Sequence, residues 1–355
     1  MHLSVNFRNE PPGGPLSILA HVLIPSRFAS GSRLLLLAVL LVLFAIVVPT
    51  APSLPRPARA SAPASPAIVA PAATREPPEN AGQPALHPLR AEIHFEDATA
   101  QHRGAPATVA STGILVDIDT NQVLWALEPH SQRPPASTTK LVTSIVALEN
   151  FPPDGIVVIK PEAVVNDFIE TRMGFFAGER LTIRELLAGM LTVSANDAAR
   201  AIPDGTFGME QWLVAMNEQV TALGLGDSHF TNPAGYPDDP TMVSSAYDLA
   251  GFATAAYRNY PLFRELAANH DNNIPASANH QEFKMHNINR LLEIYPPAVG
   301  GKSGFTDLAG PCLVSIAVRD NHHLVAVLMN AQKMFDQSKA LLEWGFAQDG
   351  LPPLK

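Results

Sequence analysis

Arg133-Pro-Pro-Ala-Ser-Thr-Thr-Lys140, continuing as Leu141-Val-Thr-Ser144, sets a serine and a lysine three residues apart where a helix begins. Pro134 and Pro135 suit the approach to a helix rather than its interior. Leu141, Val142, Ile145, Val146 and Leu148 then recur at helical spacing. Positions three apart share a helix face about one turn apart, so Lys140 reaches back beside Ser137. The serine hydroxyl lies near the positive end of the helix dipole. A serine is a poor nucleophile without a base. An exposed lysine stays protonated at neutral pH, but one enclosed among cationic or apolar groups can lose its proton. The pair is a candidate nucleophile, Ser137, and base, Lys140. Taken alone, the same residues also describe a helix with a surface lysine.

Two further short motifs follow in order. Ser194-Ala-Asn196 supplies a hydroxyl and an amide. Ser194 could pass a proton between Lys140 and a leaving amine, and Asn196 could bond a substrate amide. The plain alternative is a turn, since Ser, Asn and the adjacent Asp197 favour caps and turns. Lys302-Ser-Gly304 fits a strand beside a cleft. Lys302 offers charge to a substrate carboxylate and to the environment of Lys140, and Ser303 offers a hydroxyl to the same carboxylate. Gly304, having no side chain, would let a peptide lie against the strand as an added one. The alternative here is a lysine in a Gly-rich loop.

Working outward, Gly113–Ile118 and Gln122–Ala126 are strand-like runs joined by Asp119-Thr-Asn121, a polar turn suited to a hairpin. Thr182-Ile-Arg-Glu185 is a capping box that opens a helix through Leu191. Ser245-Ala-Tyr-Asp248 has the same form and opens a helix toward Tyr257. Leu313–Val318 and Leu324–Met329 are strand-like runs around Arg319-Asp-Asn-His-His323. A last amphipathic helix carries Met334, Leu341, Trp344 and Phe346. Strands, then helices, then strands and a helix give an α/β fold of the α+β type: an antiparallel sheet flanked by helices, with an all-helical subdomain inserted between its two parts.

The chain has 355 residues, 46% hydrophobic and 16% charged, with a net charge of −9. Without a basic footprint, nucleic acid is not an expected partner. The single cysteine, Cys312, excludes an internal disulfide and a Cys-based zinc site. It sits in an apolar run and reads as a buried strand residue. His229, His286, His322 and His323 lack metal-ligand spacing and read as surface or loop residues rather than ligands.

Residues 1–33 read as a leader and 34–48, LLLLAVLLVLFAIVV, as a hydrophobic signal or anchor. The run is short for a membrane helix, which needs about 20 apolar residues. Ala58-Arg-Ala60 offers a small-x-small site for cleavage. Residues 49–90 hold about a third of the prolines and many alanines, and read as a disordered linker. Export is expected, with the cleaved and anchored forms both open, and residues 91–350 form the functional domain.

Beyond the three motifs, longer stretches carry a family likeness. Arg133–Lys140 with the following Leu-Val-Thr-Ser resembles the active-site signature of the low-molecular-weight penicillin-binding proteins, the D-alanyl-D-alanine carboxypeptidases of serine peptidase family S11. Ala177-Gly-Glu-Arg-Leu-Thr-Ile-Arg-Glu-Leu-Leu187 is similar to the segment leading to their second motif. His229-Phe-Thr-Asn-Pro-Ala-Gly235 is similar to their Asn-Pro-x-Gly loop, and Lys302–Gly310 to their Lys-Thr-Gly segment. The likeness runs from about residue 105 to 347. It implies a DD-peptidase/β-lactamase-like fold and an acyl-enzyme on Ser137, formed with Lys140 as base and Ser194 as proton donor. Asn196, Lys302, Ser303 and Gly304 would bind substrate, and the backbone N–H groups of Ser137 and Phe305 would form the oxyanion hole. It also implies peptidoglycan stem peptides as substrates in the extracytoplasmic cell-wall space, β-lactams as acylating inhibitors, and no cofactor.

Several features depart from that pattern. Ser303 stands where the family has threonine, which keeps the hydroxyl and loosens its positioning. Pro203 and Gly205 are expected to break or end the helix after Asn196 early. The likeness stops before the β-rich second domain of many relatives, so any membrane attachment is expected only through the N-terminal segment. A class A β-lactamase would need a Glu-x-x-Leu-Asn loop after Asn196, which is not found. A DD-endopeptidase and a non-catalytic peptidoglycan- or β-lactam-binding module remain as alternative readings.

Overall fold

A computed structural model describes residues 92–96, 104–167 and 169–354. The leader, hydrophobic run and linker read from the sequence therefore lie outside the described residues. Among those described, no helix is long and apolar enough to cross a membrane.

A five-stranded antiparallel sheet carries the site, in the order β2-β1-β7-β6-β5. β1 (Thr112–Asp117) and β2 (Gln122–Leu127) form the predicted hairpin. Asn121 turns the chain at φ 61, a conformation that Asn tolerates better than most residues. β5 (Ala298–Thr306), β6 (Gly310–Arg319) and β7 (His322–Met329) come from the other end of the chain. β1 pairs with β7, Ile114 opposite Val327, and so joins the two halves. The turn between β6 and β7 is tighter than the sequence implied. Asp320 and Asn321 both have positive φ, the conformation of a two-residue hairpin turn. His322 and His323 therefore begin β7 instead of ending a loop.

Strand alternation sends side chains to two cores. Ile114, Val116, Val325 and Val327 face one cluster, where helix α5 (Ala246–Asn259) packs on the sheet. Leu115, Leu324, Ala326 and Leu328 face the other, against Leu341, Leu342 and Phe346 of the last helix, α8 (Met334–Gln348). Every residue of β1 is buried, and each fully buried aliphatic side chain contributes about 1.5–3 kcal/mol. Cys312 lies in β6 as read, and burial pushes its thiol up to about 11.

Between β2 and β5 lie α1 (Lys140–Asn150), α2 (Ile183–Thr192), α3 (Asn196–Gly205), α4 (Met209–Ala222), α5, α6 (Pro261–Ala268) and the single turn α7 (Leu291–Ile294). The insertion is not all-helical: β3 (Ile156–Val158) and β4 (Arg180–Thr182) pair as a small ribbon within it. Ile156-Val-Val158 is a β-branched run, which favours extended backbone. The capping box at Thr182 forms in both directions. Its side chain accepts from Glu185 N, while the Glu185 carboxylate accepts from Thr182 N at 2.7 Å. Ser245 caps α5 in the same sense by accepting from Asp248 N. Pro203 sits inside α3, which ends two residues later. The helix does stop early, but at the end remote from Ser194, so the wall carrying that serine is not broken.

Candidate active site

Ser137 lies in a buried 3₁₀ turn, Ala136–Thr139, that runs directly into α1. Two close approaches hold this turn, and each needs a glycine. At Gly235, with φ +75, a Cβ would fall 1.8 Å from the Ala136 carbonyl oxygen. At Gly304 in β5, a Cβ would fall 2.8 Å from the Ser137 nitrogen. Gly304 also lines the cleft, and the space a Cβ would take there is filled by the backbone of the nucleophile's own turn.

Lys140 is fully buried. Its Nζ donates to Ser137 Oγ at 2.9 Å, Asn196 Oδ1 at 2.7 Å and the Ala234 carbonyl at 2.7 Å. Burial first, then the Lys302 and Arg200 charges, hold its pKa well below the ordinary lysine value. Those are the causes that make a lysine serviceable as a base near neutrality. Ala234 belongs to the Asn-Pro-Ala-Gly loop. Asn232 Oδ1 accepts from the Ala234 and Gly235 nitrogens there, and Pro233 O accepts from Thr143 Oγ1 of α1.

Ser194 occupies the bend between α2 and α3 at φ 59, a strained conformation for a residue with a side chain. Lys302 Nζ donates to its Oγ at 2.9 Å and to the Ser303 carbonyl at 2.6 Å. Lys302 is also buried, and burial lowers its pKa to about 7. The motif reading offers this lysine to substrate, and its amine lies directly behind the cleft residue Ser194. Strand alternation explains this. Lys302 shares the face of Gly304, which packs on the turn bearing Ser137.

An open cleft of roughly 470 Å³ exposes the reactive groups. Ser137, Ser194, Asn196, Ser303, Gly304 and Phe305 line it. β5 is the free edge of the sheet on this side. Sequence reasoning missed a second set of lining residues: Ile169, Glu170, Tyr236, Ile288, Met334 and Phe335. None belongs to the three motifs. Only Tyr236 adjoins one of the stretches that carry the family likeness, and Met334 reads from the sequence simply as a helix-face residue. Glu170 accepts from Asn196 Nδ2 at 3.2 Å and pairs with Arg200 at 2.7 Å.

The histidines lie in other settings. His286 pairs with Asp271 and Glu293, and His323 with Asp119, while His229 bridges to Val243 through its backbone. Among the described residues, no group of three or more His, Cys, Asp or Glu could hold a metal ion.

A family model described as D-alanyl-D-alanine carboxypeptidase, Peptidase_S11, matches residues 99–333. D-alanyl-D-alanine carboxypeptidase DacB2 of Mycobacterium tuberculosis is 33% identical over 269 residues, covering 71% of this chain and 89% of that protein. D-alanyl-D-alanine carboxypeptidase DacD of Salmonella typhimurium is 34% identical, covering 70% of this chain and 66% of the relative. Among solved structures, a D-alanyl-D-alanine carboxypeptidase from Mycobacterium tuberculosis superimposes with a TM-score of 0.65 at 31% identity. It covers 73% of this chain and 97% of its own.

Proposed function

The chain belongs to the D-alanyl-D-alanine carboxypeptidase family of serine peptidases, and from that premise we propose how its cleft removes the terminal D-alanine of a peptidoglycan stem peptide. The protein is a serine-type D-Ala-D-Ala carboxypeptidase, a hydrolase. One observation carries the assignment of roles: Lys140 Nζ, buried and depressed in pKa, lies 2.9 Å from Ser137 Oγ in a cleft that also exposes Ser194.

Neutral Lys140 takes the Ser137 proton as Oγ attacks the carbonyl between the two D-alanines. The developing oxyanion is held by the backbone N–H groups of Ser137 and Phe305, a reading supported by the close approach of Gly304, next to Phe305, to the Ser137 nitrogen. The proton passes to the departing amine through Ser194. Lys302 donates to the Ser194 oxygen, so the hydroxyl hydrogen is free to point into the cleft. The terminal carboxylate meets the Ser303 hydroxyl at the edge of β5, with the buried Lys302 charge close behind. Asn196 holds Lys140 on one side and faces substrate on the other. Water then attacks the acyl-enzyme along the same proton path. β-Lactams present the same carbonyl and carboxylate, and acylate Ser137. Residues 34–48 deliver the domain to the cell-wall space as a signal or an anchor. Fractionating cells that express the full chain with and without this run tests that delivery.

Incubating the protein with a peptide ending in D-Ala-D-Ala and measuring free D-alanine tests the activity. Release by the native protein and none by Ser137→Ala is the expected result. Cleavage of cross-linked dimers alone would replace the carboxypeptidase with an endopeptidase. Covalent β-lactam labelling with no peptide turnover would replace it with a binding module.

A further inference from the structure

As an ammonium, Lys140 has three protons for its three acceptors: Ser137 Oγ, Asn196 Oδ1 and the Ala234 carbonyl. As the neutral amine that acts as base, it has two protons and one lone pair. The two oxygens from Asn196 and Ala234 can only accept. They claim both N–H bonds and leave the lone pair facing the Ser137 hydroxyl. The direction of the base therefore depends on which end of the Asn196 amide faces it. Turned over, the amide would present its NH₂ to Lys140. That group would donate to the lone pair in competition with Ser137, and would repel the ammonium form. The amide oxygen and nitrogen are so alike in size that packing does not choose between the two orientations.

We propose that Glu170 makes this choice and is a positioning residue for acylation: its carboxylate can only accept, so it fixes the Asn196 NH₂ away from Lys140 and the amide oxygen toward it. Glu170 Oε2 meets Asn196 Nδ2 at 3.2 Å and is itself held by Arg200 at 2.7 Å. Arg200 lies one turn along α3 from Asn196, on the same face. The carboxylate is only 12% exposed, and charge-assisted bonds of this kind are stronger than neutral ones. The segment bearing it is tied to the second motif at four points. Thr171 Oγ1 donates to the Ser194 carbonyl, and Asn196 N donates to the Thr171 carbonyl. The Met173 and Gly174 nitrogens donate to the buried Asp197. Glu170 thus directly precedes backbone anchored on the second motif.

The inference rests on the acyl-enzyme reading above, and the test separates the two. The rate of Ser137 acylation by a fluorescent penicillin is measured across pH for the native protein and Glu170→Gln, with D-alanine release and melting temperature alongside. Glutamine has nearly the same shape but both donates and accepts, so it no longer distinguishes the two ends of the amide. Acylation is expected to slow about tenfold or more at the pH plateau, as a fall in kcat with KM little changed. The acid limb should move to lower pH, because Glu170 raises the Lys140 pKa while Lys302 and Arg200 lower it and Asp197 raises it. A role in stability alone would lower the melting temperature and leave that limb in place. In an Asn196→Ala background, Glu170→Gln should slow acylation no further. Wild-type acylation by folded Glu170→Gln, or an equal loss in both backgrounds, overturns the proposal. If Glu170→Gln does not fold, Glu170→Ala carries the same expectation, since water would replace the carboxylate. A native protein that neither acylates nor releases D-alanine overturns the carboxypeptidase reading instead.

Discussion

Replacing Gly304 by alanine tests whether backbone contact alone holds the nucleophile's turn in register with the cleft edge. The added methyl would lie 2.8 Å from the Ser137 nitrogen, 3.1 Å from Ala136 Cβ and 3.2 Å from the Thr138 nitrogen. Two of these are backbone atoms of a turn whose four residues are all buried, so no flexible side chain can swing aside. Restoring ordinary contact requires the turn or β5 to retreat by about half an ångström. A misplacement of about 1 Å in reacting groups can cost about 100-fold, so half of that should cost roughly tenfold in penicillin acylation and in kcat/KM for D-alanine release. Overpacking of a core costs about 1–3 kcal/mol, which in a domain of this size lowers Tm by about 2–10 °C. Gly226 serves as the control. Its Cβ would meet nothing within 4 Å and its φ is not in the left-handed region, so Gly226→Ala should leave both quantities unchanged. Stopped-flow acylation and scanning calorimetry read the two effects. A Gly304→Ala protein that acylates at the native rate would show that the turn is not seated against β5 as described.

Lys302→Met should act on both pH profiles. The buried Lys302 titrates at about 7 when folded and at 10.5 ordinarily, so between those values the unfolded chain holds more protons and stability rises with pH. Calorimetry across that window should show the rise in the native protein and a shallower one in the variant, where the buried Lys140 still contributes. The same change removes a charge that lowers the Lys140 pKa, so the acid limb of acylation should move to higher pH. An unmoved limb would disprove that electrostatic link. Ser303→Thr restores a methyl and a stiffer χ1 beside the cleft, and should lower KM for the peptide a few-fold with kcat nearly unchanged. A rise in KM would show that the serine is fitted to its site. Thr182→Ala removes the cap of α2, costing about 1 kcal/mol and about 2–4 °C in Tm. Because Ser194 keeps its other ties, kcat should hold, and a large fall in kcat would contradict that.

What could be read from the sequence follows from the range of each interaction. The hairpin at Asp119–Asn121, the capping box at Thr182 and the Ser137–Lys140 spacing are local, and each formed as its residues dictate. The ribbon β3–β4 was missed because two three-residue strands carry too little pattern to register. For Lys302 the motif gives spacing but not facing. Only the packing of β5 on the Ser137 turn shows that Lys302 points inward under Ser194. Glu170 was not seen at all. It lies 26 residues before Asn196 in a segment without periodicity, and only the fold brings the two together. The Asn-Pro-Ala-Gly loop was noticed as a likeness without a role. Its role is carried by a main-chain oxygen, that of Ala234, which no side-chain pattern can reveal.

The strand order has a bearing on how the enzyme comes into being. Among the described residues β7 is the last strand, yet it lies between β1 and β6 and within the sheet joins the early hairpin to the late strands. Until residues 322–329 have emerged, the hydrogen-bonded sheet cannot join β5 and β6 to β1 and β2. Joining positions more than 200 residues apart is slow by the usual dependence of folding rate on contact separation. Ser137 precedes in sequence the strand that walls its cleft by more than 150 residues, so its setting is complete only once the late strands have joined the sheet.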